Sequence, residues 1–450
     1  YKNRYLFTFT ARADGASKFA EGHRWGFFPS GAVSWKMEEE PWIRSLGFFD
    51  QLKLRASYGV SGNQGISPYQ TFERFGYDYY WCNGEEYTVY GIGYQDGREG
   101  LGDRFVTYAG MANHELTWEK TAQLDIGLDL SILKGRLNVT FDYYYKRTTD
   151  LLRKQYLSPS TGFDTVWVND GEIRNKGFEL TISSRNINHK NFQWTTDLVF
   201  STNRLMVIDV GGERIDLGNN AIAEAGKPWG SFFVLNRLGT WGLDEVDEAR
   251  KYGKKPGDLK FEDRNHDYVI DDNDRRIMGN GTPKGDITLV NTFRYKGFSL
   301  MVDLNAAYGF KIMGITTTMM ENRQLYGNSM KSVLNAWTPE NQNSMIAALR
   351  LPSDVNFGEN EKDSRMLYDG DFLRIRNISL SYDFKPELLR KLRVIKGLSI
   401  GVNVENLHVF TEYPGYDPEV GAFNTDRGQS IDFYSYPHPT TVSANIKITF

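Results

Sequence analysis

The feature that most constrains this chain is hydrophobic alternation with a period of two, sustained over unusually long stretches. In Arg136–Lys146, Leu137, Val139, Phe141, Tyr143 and Tyr145 point one way, while Asn138, Thr140, Asp142 and Tyr144 point the other. The stretch before it sets Ala122, Leu124, Ile126, Leu128 and Leu130 against Thr121, Gln123, Asp125 and Asp129. The last residues repeat the pattern, with Val442, Ala444, Ile446, Ile448 and Phe450 opposite Ser443, Asn445, Lys447 and Thr449. Such a period belongs to strands with one apolar face. The strands run to roughly 10–15 residues, where globular strands usually have about five or six. Tyr, Phe and Trp gather near their ends, as an aromatic girdle requires.

The connections decide between a soluble sandwich and a membrane barrel. The pattern predicts twelve strands, near residues 2–14, 25–37, 50–62, 115–131, 135–149, 172–186, 192–206, 286–296, 297–309, 370–384, 396–411 and 437–450. Short connections fall at 38–50, 133–135, 187–191, 296–297 and 385–397. Long ones fall between them, at 63–114, 207–285 and 310–369. Sorting by parity puts short turns at one end of the sheet and long loops at the other. That is the asymmetry of outer-membrane barrels, with long loops outside the cell, and a sandwich has no reason to show it. The expected fold is all-β: an antiparallel transmembrane β-barrel crossing the outer membrane of a Gram-negative cell many times, in contact with its lipids. One strand breaks the pattern. Phe372, Leu373, Arg374, Ile375 and Arg376 do not alternate cleanly with Ile378, Leu380, Tyr382 and Phe384; a bulge, or two arginines at the headgroup level, accounts for it.

Composition excludes several alternatives. Mean hydropathy is −0.50, and no run approaches the roughly 18 apolar residues of a spanning helix. The formal net charge of −4 gives no basic footprint for nucleic acid. Aromatics at 14% are too many for a disordered chain. Cys82 is alone, so there is no intrachain disulfide framework and no cysteine-based zinc cluster. The chain opens at Tyr1 in what reads as mid-strand, without Met or leader, and a fragment is expected. The 450 residues therefore read as one barrel portion, with 207–285 as a long extracellular loop.

Two constellations carry candidate chemistry. In Asp263-Arg-Asn265-His-Asp267-Tyr-Val269-Ile-Asp271-Asp-Asn-Asp274, oxygen donors stand at positions 1, 3, 5, 9 and 12, with the Val269 carbonyl at 7. That is the spacing of an EF-hand or dockerin calcium loop, since Ca²⁺ takes six to eight oxygens. Tyr268 stands where such a loop needs Gly, and Asp274 replaces the terminal Glu. The alternative is a solvated acidic turn. The second constellation is aromatic: Tyr79, Tyr80, Trp81, Tyr87 and Tyr90 crowd the 63–114 loop. They offer flat faces for sugar rings, or a small core for the loop itself. Arg55, Asp125, Glu179 and Asp197 are examples of the polar residues on the inward strand face. Enzyme signatures such as G-x-S-x-G, H-E-x-x-H and the phosphate loop are absent, and no catalytic residue is expected.

Several local motifs resemble the SusC/RagA family of TonB-dependent outer-membrane transporters from Bacteroidetes. They are Arg12-Ala-Asp14-Gly15-Ala-Ser17-Lys-Phe19, Phe28-Pro29-Ser-Gly-Ala-Val-Ser34-Trp35, and the run Leu54 to Gln64, which contains Ser57-Tyr58-Gly59 and Gly62-Asn63-Gln64. Also similar are Ile173-Arg-Asn175-Lys-Gly177-Phe-Glu179-Leu180, Phe372-Leu-Arg374-Ile-Arg-Asn377, Asn406-Leu407, Tyr416-Asp-Pro-Glu419 and the terminal Phe450. The resemblance implies a barrel of about 22 strands, of which this chain supplies the C-terminal twelve or so, with the plug domain and the TonB-contacting segment missing. It further implies a SusD-like surface lipoprotein as partner, energy through the TonB complex, and an oligosaccharide substrate. The alternatives are oligopeptide import by the same machinery and, from another class, a secreted soluble β-rich carbohydrate-binding module or hydrolase.

Overall fold

The computed structural model describes residues 1–73, 76–91, 111–161, 163, 165–212, 214–218, 220–322, 328–349, 363–389, 394–421 and 430–450. Twelve long strands follow one another in an antiparallel sheet: β1 Tyr5–Gly15, β2 Trp25–Lys36, β3 Phe49–Asn63, β4 Glu119–Ile132, β5 Leu137–Thr149 and β6 Glu172–Asn188. They continue as β7 Phe192–Thr202, β8 Gly285–Tyr295, β9 Phe298–Tyr308, β10 Phe372–Asp383, β11 Gly397–Thr411 and β12 Thr441–Thr449. Each strand pairs with its neighbours in sequence, and Arg204–Asp209 returns to pair with β6. Among the described residues β1 and β12 are hydrogen-bonded on one side only. Every strand expected from alternation is present, and from β3 onward the connections alternate long and short, although the first, 16–24, is shorter than the second, 37–48.

Alternation has the consequence that the strand pattern demands. Phe7 and Phe9 on β1, Ile126 on β4, Val402 on β11 and Ile446 on β12 are exposed on one face. An apolar face this extensive is unfavourable in water and suits hydrocarbon. The buried clusters lie in the connections and at the strand ends that meet them.

Two compact units make up the chain. The first takes Tyr1–Leu130, Asp142–Gly177 and Leu205–Glu213. Its core is Ala16, Phe19, Phe28, Ile66, Leu116 and Trp118, drawn from strand ends and connections. A Cβ on Gly62 would lie 2.0 Å from the Phe28 ring, so only glycine lets that ring lie across β3. On the polar face Arg55 reaches Asp129 at 2.9 and 3.0 Å and Asp142 at 3.0 Å. Gly127 admits this guanidinium, since a Cβ there would meet it at 2.7 Å. Ser57 donates to Asp125 close by.

The second unit takes Ser131–Phe141, Phe178–Arg204 and Arg214–Phe450. On its polar face Ser183 donates to Asp197 at 2.6 Å. The connection between β7 and β8 folds on itself: strands at Arg214–Gly218, Ala221–Glu224, Ser231–Val234 and Arg276–Asn280 form one sheet, and Arg237–Thr240 pairs with Leu259–Phe261. A third small sheet joins two further connections, Lys311–Gly314 lying between Leu367–Asp369 and Ile431–Asp432. Phe232, Val234, Met313, Met366 and Ile431 fill the space under these sheets. Buried Arg237 grips Asp363 through Nε at 3.0 Å and Nη2 at 2.5 Å, fastening one long connection to the next. Burial pushes the Asp363 carboxyl up, against the pull of Arg237.

The irregular strand β10 carries a bulge. Asn377 pairs with Asp303 and Ile375 with Leu304, leaving Arg376 as the extra residue. The same shift appears against β11. Of the two readings of this segment the bulge holds, and Arg374 is not at a headgroup level but 3% exposed inside the loops.

Candidate functional site

The acidic loop begins after Leu259–Phe261 and is organised by its own backbone. Asp263 Oδ1 accepts from the His266 N–H at 2.7 Å, and Oδ2 from the Tyr268 N–H at 3.0 Å and the Tyr252 hydroxyl at 3.1 Å. Asp274, fully buried, accepts from the N–H of Arg264 at 2.8 Å and of Asp271 at 2.9 Å. Asp267 takes the Val269 N–H and the Asn265 side-chain amide, and Asp271 takes the Asn273 N–H. Desolvation opposes charge on Asp263, but the N–H groups of Tyr268 and His266 and the Tyr252 phenol outweigh it and hold the carboxyl below its usual value. Burial and the same contact push the Tyr252 phenol up to about 12.

Tyr268 adopts the left-handed backbone, φ +63°, that favours glycine at this position of a calcium loop. Its ring packs at 5.4 Å on Tyr252, which packs at 5.4 Å on Trp241. The loop thus makes the turn without glycine, and the ring stack lies beside it. The donor set is hard oxygen, and a carboxylate has about four lone-pair sites, so each of the four aspartates keeps capacity for a cation. The structure does not bring three of these carboxylates within 4.8 Å of one another.

The side chains that do approach to that distance, among the described residues, are Asp417, Glu419 and His438. A cation is already among them. Arg374 Nη2 donates to Asp417 Oδ1 at 2.6 Å, and its Nε lies 2.7 Å from Glu419. His438 Nδ1 stands 2.9 Å from the other Asp417 oxygen. Desolvation opposes the charge on Asp417; the Glu419 N–H, His438 and Arg374 together overcome it and hold the carboxyl below its usual value. The sequence motif named Arg374 and Tyr416-Asp-Pro-Glu419 separately, and nothing local joined them. His438 and Tyr252 carried no signal at all, because each meets its partner only through tertiary folding.

The aromatic set lies on a hairpin, Gly76–Cys82 against Glu85–Gly91, turned at Asn83 and Gly84 with φ +53° and +82°. This is the I′ turn that Asn-Gly favours. Positions 80 and 87 face each other in register, as do 81 and 86. Alternation therefore divides the set: positions 79, 81 and 90 share one face, and 80 and 87 share the other. Trp81 is 66% and Tyr87 50% exposed, with the Tyr87 hydroxyl donating to Glu85. Tyr79, Tyr80 and Tyr90 have side chains outside the described residues.

A long antiparallel sheet with an exposed apolar face, short turns at one end and folded loops at the other, defines a membrane β-barrel wall. Comparison with known proteins names the family. The profile described as TonB dependent receptor-like, beta-barrel matches residues 1–407, and the chain belongs to that family, whose members are outer-membrane barrels. TonB-dependent receptor P3 of Formosa agariphila is 32% identical over the whole chain, which covers 44% of that protein. TonB-dependent receptor SusC of Bacteroides thetaiotaomicron is 29% identical, with 42% of it covered. Among solved structures, the RagAB peptide importer in its closed-closed state superposes with a TM-score of 0.79 at 22% identity, covering 99% of this chain and 46% of that one. The chain spans less than half the length of the curated relatives it matches. The SusC/RagA resemblance is therefore upheld. Membership of a receptor family weighs against the soluble binding module or hydrolase.

Proposed function

We propose that this chain is the C-terminal barrel portion of an outer-membrane importer that takes up oligosaccharides with a SusD-like surface lipoprotein and draws energy through TonB. The observation that carries the reading is the folded mass of the long connections, fastened together by Arg237–Asp363 and by the shared sheet at Lys311–Gly314. Loops built this way support a vestibule suited to bulky substrates, and the exposed Trp81 and Tyr87 offer ring faces for sugars. Oligopeptide import is the second reading, favoured by the likeness in fold to a peptide importer. The test uses the complete protein. It is expected to co-purify with a SusD-like lipoprotein and to be needed for growth on an oligosaccharide. Purification without a partner, joined to growth on every glycan unchanged by deletion, overturns the reading; loss of growth on peptides alone favours the second.

Calcium at Asp263, Asn265, Asp267, Val269, Asp271 and Asp274 belongs to the same proposal, as a structural ion that draws the four carboxylates together and stiffens the loop. Its support is the oxygen donor set and the turn already made at Tyr268.

A further inference from the structure

Three short turns of the second unit share a property that the import reading does not use. The turn between β4 and β5 carries Lys134 and Arg136, that between β6 and β7 Arg185 and Lys190, and that between β8 and β9 Arg294 and Lys296. All six are exposed, no carboxylate lies within these turns, and none of the six has an ion-pair partner among the described residues. The connection after β10 is mixed in sign, with Lys385 and Lys396 beside Asp383 and Glu387.

Turn chemistry does not select these lysines. Lys134 and Lys296 have φ of +59° and +46°, in the region where a hairpin favours Asn or Gly. Arg136 donates to the carbonyls of Arg185 at 3.1 and 3.2 Å and of Asn186 at 2.7 Å, fastening two of the turns together. Apolar side chains stand exposed at the same level: Leu133, Ile187, Tyr295 and Phe298. Lys296 lies 5.1 Å over the Tyr295 ring. Cations therefore border the apolar wall, where headgroup phosphates of a bilayer would lie, and neighbouring turns stand roughly 10 Å apart. Fields at that spacing overlap when the salt is low.

We infer that this basic rim is a binding surface for anionic phospholipid headgroups, in the leaflet that the short turns face. Charge complementarity and the adjoining apolar wall together select a lipid surface over a soluble polyanion. The inference rests on the membrane-barrel reading, and the experiment separates the two. The complete protein is inserted into vesicles of phosphatidylcholine and phosphatidylglycerol in equal parts, extracted gently, and its retained lipid analysed. Phosphatidylglycerol should be enriched at least about threefold over phosphatidylcholine, and the enrichment should fall in about 0.5 M salt. The triple variant K134Q/K190Q/K296Q should return the ratio to parity, and K134R/K190R/K296R should keep it. Neutralising Lys227 and Lys251 in the long connection should leave it unchanged. Parity in the natural protein, or enrichment kept in the glutamine triple, overturns the inference. Loss of enrichment to inorganic phosphate at matched ionic strength overturns it in favour of a free-phosphate site. Failure to insert at all overturns the barrel reading as well.

Discussion

Two acidic clusters in the long connections are built from the same residue type and are neutralised differently. At Asp263–Asp274 the four aspartates of the calcium-like spacing are met by backbone N–H groups, the Tyr252 hydroxyl and the Asn265 and Asn273 side-chain amides, while Arg275 pairs at 2.8 Å with Asp272 between them. At Asp417 and Glu419 a guanidinium from strand β10 takes the place that a metal would occupy. The first is local in sequence, and its ion pair falls on Asp272, outside the calcium-like donor set. The second joins residues more than forty positions apart and carries its own cation. A cluster of acids therefore says little about a metal until its resident donors are known.

The largest expected effect breaks the second cluster. Arg374→Ala leaves Asp417 buried beside Glu419 without its guanidinium, a loss of about 3–5 kcal/mol. Protease sensitivity of residues 412–421 and 430–440 should rise sharply while the barrel keeps its heat-resistant migration on gels. If cleavage there is unchanged, the arginine is not what holds the loop.

Acid should do the same more gently. The folded pKa of Asp417 lies below its ordinary value of 3.8. Its contribution is therefore fully present above that ordinary value and is lost as pH falls through the lower folded value. The stretches 412–421 and 430–440 should resist cleavage at about pH 5 and loosen toward about pH 2. Asp417→Asn should remove most of this pH dependence, and a variant that keeps it would assign the titration to another group.

A smaller effect is expected at the first cluster. Chelation of the natural protein, or Asp263→Ala, should increase cleavage within 246–275 and leave 412–421 and 430–440 untouched. Losing the buried acceptor of two N–H groups and a phenol costs about 1–3 kcal/mol even without a metal, so chelation is the cleaner measurement. Calcium-independent cleavage in the natural protein would leave the loop as an acidic turn ordered by its own hydrogen bonds.

The contrast also explains what was legible in the sequence. Alternation is a period of two imposed by the pleat, so all twelve wall strands could be read from residues such as Leu124, Ile126 and Leu128. Many loop strands leave no trace in the sequence because they are short: Leu259–Phe261 and Ile431–Asp432 are too brief to show a period, while the longer hairpin Gly76–Cys82 and Glu85–Gly91 hides its period in a run of aromatics, Tyr79, Tyr80 and Trp81. The calcium-like spacing was visible because its partners lie within one turn of chain. The pairing of Arg374 with Asp417 was not, since the bulge at Arg376 and the return of the 412–440 connection bring them together only in three dimensions.

The smallest effect sharpens the comparison most. Tyr268 occupies a left-handed position, φ +63°, at which a non-glycine residue is strained by about 1–2 kcal/mol. Its ring contributes in the other direction, through the stack on Tyr252, worth about 0.5–1.5 kcal/mol. A further part comes from Lys251, 5.3 Å over the ring at an exposed site, which adds about 0.5–1 kcal/mol. These terms oppose each other, so Tyr268→Gly should change the stability of the loop by less than about 1 kcal/mol. On the proposed calcium reading its effect on metal affinity should be larger than its effect on the fold, because glycine frees the turn to close around an ion. The measurement is cleavage within 246–275 across a calcium titration. A midpoint moved to lower calcium, with metal-free cleavage nearly unchanged, would show that the tyrosine trades affinity for packing. Collapse of the metal-free loop would show instead that the Trp241–Tyr252–Tyr268 stack, and not the carboxylates, orders this region.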